Sequence, residues 1–304
     1  MSSCRTVRTP WTGRRQDLPD DAFQPVRHVT SVRIVAVRGQ SLEFRDDRVV
    51  GEAPLEVLVA GPGQEPVAVA VTMRTPGHED ELAIGFLRTE GLITGTELLS
   101  TRAGDPADLS QPDDTILVRL AKPFDVSSIA ERHFIATASC GICGKASIDE
   151  VVLRCEPIPP GPVVTRAVVL ALPDMLRAAQ RAFDQTGGVH AAALFSPDGQ
   201  LIAIREDVGR HNALDKLIGS QVMAGALPLN DRILMVSGRV SFEIVQKAAV
   251  AGVPILCAIS APSDLAIATA DRLGVTLVGF LRGDGFNVYS HDARIELRDL
   301  SGLG

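Results

Sequence analysis

The sequence predicts an α/β fold in two parts, an N-terminal α+β part with antiparallel strands and a C-terminal βαβαβ part. Short β-branched runs cut by glycine turns fill residues 32–72, which is hairpin patterning. Between Ile233 and Phe280, wholly apolar runs alternate with amphipathic segments over short loops, the pattern of a parallel sheet covered by helices with right-handed crossovers. Pro157, Pro159, Pro160 and Pro162 around Gly161 form a stiff, extended boundary between the parts. The expected organisation is a disordered tail over 1–28, an N-terminal part over 29–161 and a C-terminal part over 162–304.

The elements follow from local pattern. Val32–Val37, Leu55–Val59 and Val67–Val71 read as strands of a meander or hairpin set, separated by Gly39, Gly51 and Gly61-Pro62-Gly63. The period then changes. Leu82 with Phe86, and Ala83 with Leu87, recur at i, i+4 behind Glu79, Asp80 and Glu81, so one helix lies between Pro76 and Gly91. Thr115–Leu120 and Phe134–Ala138 read as strands, the second running into a loop with two cysteines. Pro173–Phe183 reads as a helix, Val189–Phe195 and Leu201–Arg205 as a hairpin around Pro197-Asp198-Gly199, and Asp207–Ile218 as a helix stopped by Gly219. The final run is strand 233–236, helix 242–251, strand 254–259, helix 263–273 and strand 275–280.

Composition narrows the function. The 304 residues are 45% hydrophobic and 22% charged, which excludes wholesale disorder beyond the tail. The formal charge of −7 gives no general attraction to nucleic acid or anionic membrane, so an anionic ligand needs a local pocket. No stretch approaches a spanning helix, and the N-terminus, with Cys4, Arg5, Arg8 and Trp11, lacks the apolar core of a signal peptide. The expected location is cytoplasmic. Five cysteines, an odd number, fit a reducing compartment.

Ligands of a parallel sheet collect beyond the carboxyl ends of its strands, where helix N-termini point. Those ends are Ser237-Gly238-Arg239, Ser260-Ala261-Pro262-Ser263 and Phe280-Leu281-Arg282-Gly283-Asp284-Gly285. Two arginines, two helix starts and a glycine-rich exit on one rim describe a site for a phosphate or pyrophosphate, or else ordinary turns with surface arginines. Asp207-Val208-Gly209-Arg210-His211-Asn212 opens a helix with unusual polarity. Either Asp207 simply caps it, or Arg210, His211 and Asn212 contact a base, ribose or phosphate. His190 and His78 sit near element starts and receive no role.

Cys140-Gly-Ile-Cys143 is the sharpest local signal. A zinc site wants a second pair, but Cys155 and Cys257 are isolated, and no structural metal is expected. A thioredoxin-like centre wants a small α/β domain around it. A purely structural pair would be oxidisable in a glycine loop. A fourth reading beside these is a nucleophilic thiolate carrying sulfur as a persulfide, which needs an accessible thiolate and a flexible loop, with Lys145 as a neighbouring cation.

These residues together resemble the FdhD-type formate dehydrogenase accessory sulfurtransferases. The resemblance covers the chain from about Val29. It rests on Glu81-Leu-Ala-Ile-Gly-Phe86 with Glu90-Gly91, Ser139-Cys-Gly-Ile-Cys-Gly144, Gly187-Gly-Val-His-Ala191 and Glu206 through Lys216. Ser237-Gly-Arg239, Ser260-Ala-Pro262, Phe280-Leu-Arg282 and Asn287-Val-Tyr289 complete it. It implies a homodimer with a cytidine-deaminase-like portion, although a His-x-Glu upstream of Cys140 is lacking. It also implies a cytoplasmic carrier that takes sulfur from a cysteine desulfurase as a persulfide on Cys140, with Cys143 assisting or receiving. The sulfur then passes to the bis-guanine-dinucleotide molybdenum cofactor destined for formate dehydrogenase, with Phe280 through Gly285 as the cofactor-binding segment. The rivals are a non-catalytic cofactor chaperone and a nucleotide-binding redox protein.

Overall fold

The structure is a computed structural model describing residues 29–103, 114–127 and 157–297. β1 (Val29–Arg38) and β2 (Ser41–Val50) form a separate antiparallel ribbon. β2 carries five charged residues, and its alternation of Leu42 and Phe44 with Glu43 and Arg45 breaks at Asp46-Asp47-Arg48, so its sequence conceals it. β3 (Ala53–Ala60), β4 (Val67–Arg74), α1 (Glu79–Thr89), β5 (Leu98–Ala103) and β6 (Thr115–Leu120) follow. They build a four-stranded sheet of order β4-β3-β6-β5. Not all of its pairs are antiparallel: β6 lies parallel to β3, because the helix and β5 intervene and bring the chain back to the same end.

Next come β7 (Val164–Thr165), α2 (Arg166–Ala179), α3 (Arg181–Thr186), β8 (His190–Phe195) and β9 (Leu201–Asp207). α4 (Arg210–Met223), β10 (Ile233–Val236), α5 (Phe242–Val250), β11 (Ile255–Ala258), α6 (Asp264–Leu273), β12 (Thr276–Arg282), β13 (Gly285–Ser290) and β14 (Ile295–Glu296) complete the chain. The βαβαβ unit stands as expected, with β10, β11 and β12 parallel. The expected hairpin β8–β9 joins the same sheet antiparallel to β10, and β13 returns antiparallel to β12, giving the order β13-β12-β11-β10-β8-β9. Alternation sends Leu234 and Val236 to one face, against α4, α5 and α6, and Ile233 and Met235 to the other, against α2. Residues 157–161 pack here too: Ile158 joins the core beside Leu273, and its N–H bonds that residue's carbonyl at 2.8 Å.

Two helices differ from expectation. α2 begins seven residues before Pro173, because Thr165 caps it by accepting from the Val168 N–H at 3.2 Å, and its apolar face of Val169, Leu172, Leu176 and Ala179 continues through the proline. Gly219 does not stop α4. It lies inside that helix, where a Cβ would stand 1.8 Å from the Glu81 carbonyl oxygen of α1. Gly85 of α1 is its counterpart, with Asp215 O at 1.8 Å from the corresponding position. The two backbones therefore cross where neither has a side chain. α1 is two-faced: Leu82, Ala83 and Leu87 pack on the four-stranded sheet, and Glu81, Gly85 and Thr89 meet the C-terminal part. No helix among the described residues is long and apolar enough to cross a membrane.

Candidate functional site

Because β8 runs against β10, its start lies at the same sheet edge as the ends of β9, β10, β11 and β12. The loops there are laced together. The Ser237 N–H donates to Ala191 O and its Oγ accepts from the Ala191 N–H, both at 2.9 Å. The Val240 N–H donates to Ala261 O at 3.1 Å, and the Phe280 N–H donates to Ser260 O at 3.1 Å. The resulting mouth runs from Arg282 past Ser260-Ala261-Pro262 and Ser237-Gly238-Arg239 to His190 and Arg210. Three interstrand steps span about 14 Å, long enough for a guest with more than one anionic group.

At the β8 end the cations crowd. A Cβ at Gly238 would lie 3.3 Å from His190 Nδ1 and 3.7 Å from Arg210 Cβ, so histidine and arginine flank this glycine. Arg239 is exposed, and Arg210 Nε is buried with no hydrogen-bond partner among the described residues. His211 Nε2 lies 3.0 Å from Glu243 Oε2 and 3.4 Å from Ser241 Oγ. Burial first, then the Arg210 charge, pushes the His190 imidazole below its ordinary range. Helices α4 and α5 start here at Gly209 and Ser241 without a side-chain cap, whereas Ser263 Oγ caps α6 through the Ala266 N–H at 3.2 Å. Two uncapped N-termini and a cation cluster thus share one edge of an acidic protein, an arrangement chemically suited to an anion.

The Asp207–Asn212 segment divides its residues between the mouth and the frame beneath it. Asp207 is 0% exposed and does not cap α4. It lies 2.7 Å from Lys216 Nζ and accepts from the N–H groups of Thr75 at 3.1 Å and Gly209 at 2.8 Å, while Lys216 donates to Thr75 O at 2.7 Å. Asn212 faces inward: its Nδ2 donates to Met73 O at 2.7 Å and Asp207 Oδ1 at 3.2 Å, and its Oδ1 accepts from Thr72 Oγ1 at 3.3 Å. Its amide thus ties β4 to α4. Glu206 accepts from the N–H groups of Ala182 and Phe183 at the head of α3, and burial raises its carboxyl above the usual carboxylate range. Lys216→Met is expected to cost about 3–5 kcal/mol by leaving Asp207 buried and unpaired, whereas Lys216→Met with Asp207→Asn should cost less than the single change. Urea denaturation of the three chains checks this.

At the other end, Phe280 through Gly285 is a hairpin tip rather than an open glycine exit. β12 runs through Arg282, Gly283 takes φ 64° in the turn, and β13 leaves at Gly285. Leu281 is buried in the core, whereas Phe280 and Arg282 project, with the guanidinium 5.5 Å from the ring centroid. A groove of about 940 Å³ runs along β13 from Asp284 and Gly285 to His291 and Asp292. Tyr289 packs beside Gly279, where a Cβ would lie 3.0 Å from its ring.

Cys140 and Cys143 lie outside the described residues, as do Cys155, Lys145 and the strand expected over Phe134–Ala138. Cys257 is a core residue of β11 whose thiol burial pushes up to about 12. The sequence reading left out two members of the mouth, His190 and Glu243. His190 reaches it through the antiparallel pairing of β8 with β10, which no local pattern announces, although the resemblance motif 187–191 contained it.

Comparison with known proteins adds three findings. Residues 50–296 match the model of the FdhD/NarQ family. Among curated relatives, the sulfur carrier protein FdhD of Streptomyces avermitilis is 47% identical over 279 residues, covering 90% of this chain and 97% of that protein. The protein of the same name from Sulfurisphaera tokodaii is 41% identical over 268 residues, covering 88% and 99%. A crystal structure described as that of a formate dehydrogenase accessory protein from Desulfotalea psychrophila superposes with a TM-score of 0.68 at 25% identity, covering 88% of this chain and all of that one.

Proposed function

The chain belongs to the FdhD/NarQ family, and on that premise we propose that it is a cytoplasmic, homodimeric sulfurtransferase that loads sulfur onto the bis-guanine-dinucleotide molybdenum cofactor of formate dehydrogenase. The donor is a cysteine desulfurase, and the carrier atom is Cys140 Sγ. The observation that carries the reading is the cationic mouth, about 14 Å long, with Arg282 at one end and Arg210, Arg239 and two uncapped helix N-termini at the other. Such an edge suits a guest with two pyrophosphates, as this cofactor has.

The chemistry balances on two thiols. The Cys140 thiolate attacks the outer sulfur of the donor persulfide; the donor S–S bond breaks, a new one forms on Cys140, and the donor leaves as a thiolate. The Cys143 thiolate then attacks Cys140 Sγ and closes a disulfide, so the outer sulfur departs as sulfide with the electron pair of the broken bond. Sulfide replaces an oxygen ligand of the cargo metal, which leaves as water, and a dithiol reductant reopens the disulfide. The mouth positions the cargo, and its arginines neutralise the charge of the pyrophosphates.

Binding of a guanine dinucleotide tests the site. Arg282→Ala is expected to weaken binding roughly tenfold to a hundredfold, the range for losing a charge-assisted hydrogen bond. Titration calorimetry of both chains measures it. Unchanged affinity in Arg282→Ala would remove this segment from the site.

A further inference from the structure

Resting on the function proposed above, we propose that His190 is the proton-linked residue of the mouth, taking up a proton when a pyrophosphate diester seats between Arg210 and Arg239. The placement comes first. His190 opens β8 opposite Asp207, with which it pairs in register, and flanks Gly238 together with Arg210. It is half-buried at the edge where the uncapped starts of α4 and α5 point.

Among the described residues, the charged groups that act most strongly on it can be placed. Arg210 and His211 come from α4, Asp207 from β9 and Arg239 from the loop after β10. The arginines and His211 oppose a further positive charge, and burial does the same. Asp207 favours one, but its carboxylate is already committed to Lys216 at 2.7 Å. His211 differs, since Glu243 lies 3.0 Å away and offers it a counter-charge in the empty mouth. An anion lodged among these cations supplies His190 with what it lacks, a negative charge at close range.

The sign follows by linkage. The imidazole titrates below its ordinary range in the free protein and higher in the complex, so binding consumes a proton. Affinity therefore rises as pH falls through the ordinary histidine range, by at most about tenfold per pH unit. The device makes the mouth hold its cargo more tightly once an anion and a proton enter together, and release it as either leaves.

The probe is P1,P2-di(guanosine) diphosphate, whose phosphodiester groups stay ionised across the window. Its Kd is measured by calorimetry from about pH 8 to about pH 5.5 on the full chain, and proton uptake is read from heats in buffers of different ionisation enthalpy. The expected result is affinity rising toward low pH, with the rise and the proton uptake both lost in His190→Gln. A flat wild-type profile, or an undiminished slope in His190→Gln, overturns the role of His190 while leaving the mouth as the binding site. If the probe fails to bind at every pH, the site reading itself falls, and this inference with it.

Discussion

Cys140→Ala is expected to abolish sulfur loading and activation of formate dehydrogenase together, whereas Cys143→Ala should load and then fail to deliver. Incubated with a cysteine desulfurase and cysteine, the wild-type chain should gain about 32 Da per added sulfur on the Cys140 peptide, the mass of a persulfide. In Cys143→Ala that adduct should accumulate, because no second thiolate remains to attack Cys140 Sγ and expel sulfide. Cys140→Ala should show none. The chemistry makes the loss complete rather than partial: the accepting atom is itself removed, and alanine offers nothing to which a sulfane sulfur can bond. Among the described residues the other thiol is Cys257, buried in β11 and titrating at about 12, so it cannot substitute. Full activation of formate dehydrogenase by Cys140→Ala would instead favour a chaperone that shields the cofactor while the cysteines merely contact the metal. Delivery of an already sulfurated cofactor by a chain lacking both cysteines isolates that second outcome.

How much of this was legible in the residues depended on whether the cause was local. The βαβαβ run was readable because its strands are wholly apolar and its helices keep one face, both properties of contiguous sequence. From that topology alone, Arg239 and Arg282 could be placed at one edge, since ligands gather where parallel strands end. β2 was not readable. Much of it is exposed, so nothing forces Asp46, Asp47 and Arg48 to alternate with apolar residues. Asn212 looked like a ligand residue because it follows Arg210 and His211. Its amide is instead taken by Met73 and Thr72, brought by a strand well over a hundred residues away, and by Asp207 just before the helix. Gly219 looked like a helix stop for the same reason: its partner, Glu81 O, lies in another part of the chain.

Gly85→Ala and Gly219→Ala are each expected to destabilise the protein by more than about 3 kcal/mol, although alanine favours a helix over glycine by about 1 kcal/mol. The added methyl would stand 1.8 Å from a backbone carbonyl oxygen, Asp215 O in the first case and Glu81 O in the second. No rotamer relieves a clash between Cβ and backbone, so the helices must separate by roughly 1.5 Å to regain ordinary contact. The bonds they share then stretch. Thr89 Oγ1 donates to Asp215 Oδ1 at 2.8 Å, and Lys247 Nζ holds both Asp215 oxygens at 2.8 and 2.9 Å, all of them buried. Glu81 grips Arg205 of β9 through both carboxylate oxygens, which with His78 hold its carboxyl below the usual range against the opposing effect of burial. Weakening such buried pairs costs far more than a surface bridge does. A fall of roughly 10 °C in Tm is the expected readout for either substitution. Gly285→Ala is the control, since nothing among the described residues lies within 4 Å of its added methyl and its stability should not change. Wild-type stability in Gly85→Ala would mean that α1 and α4 do not cross here. The same substitutions should also weaken dinucleotide binding, because Arg210 and His211 form the first turn of α4 and move with it.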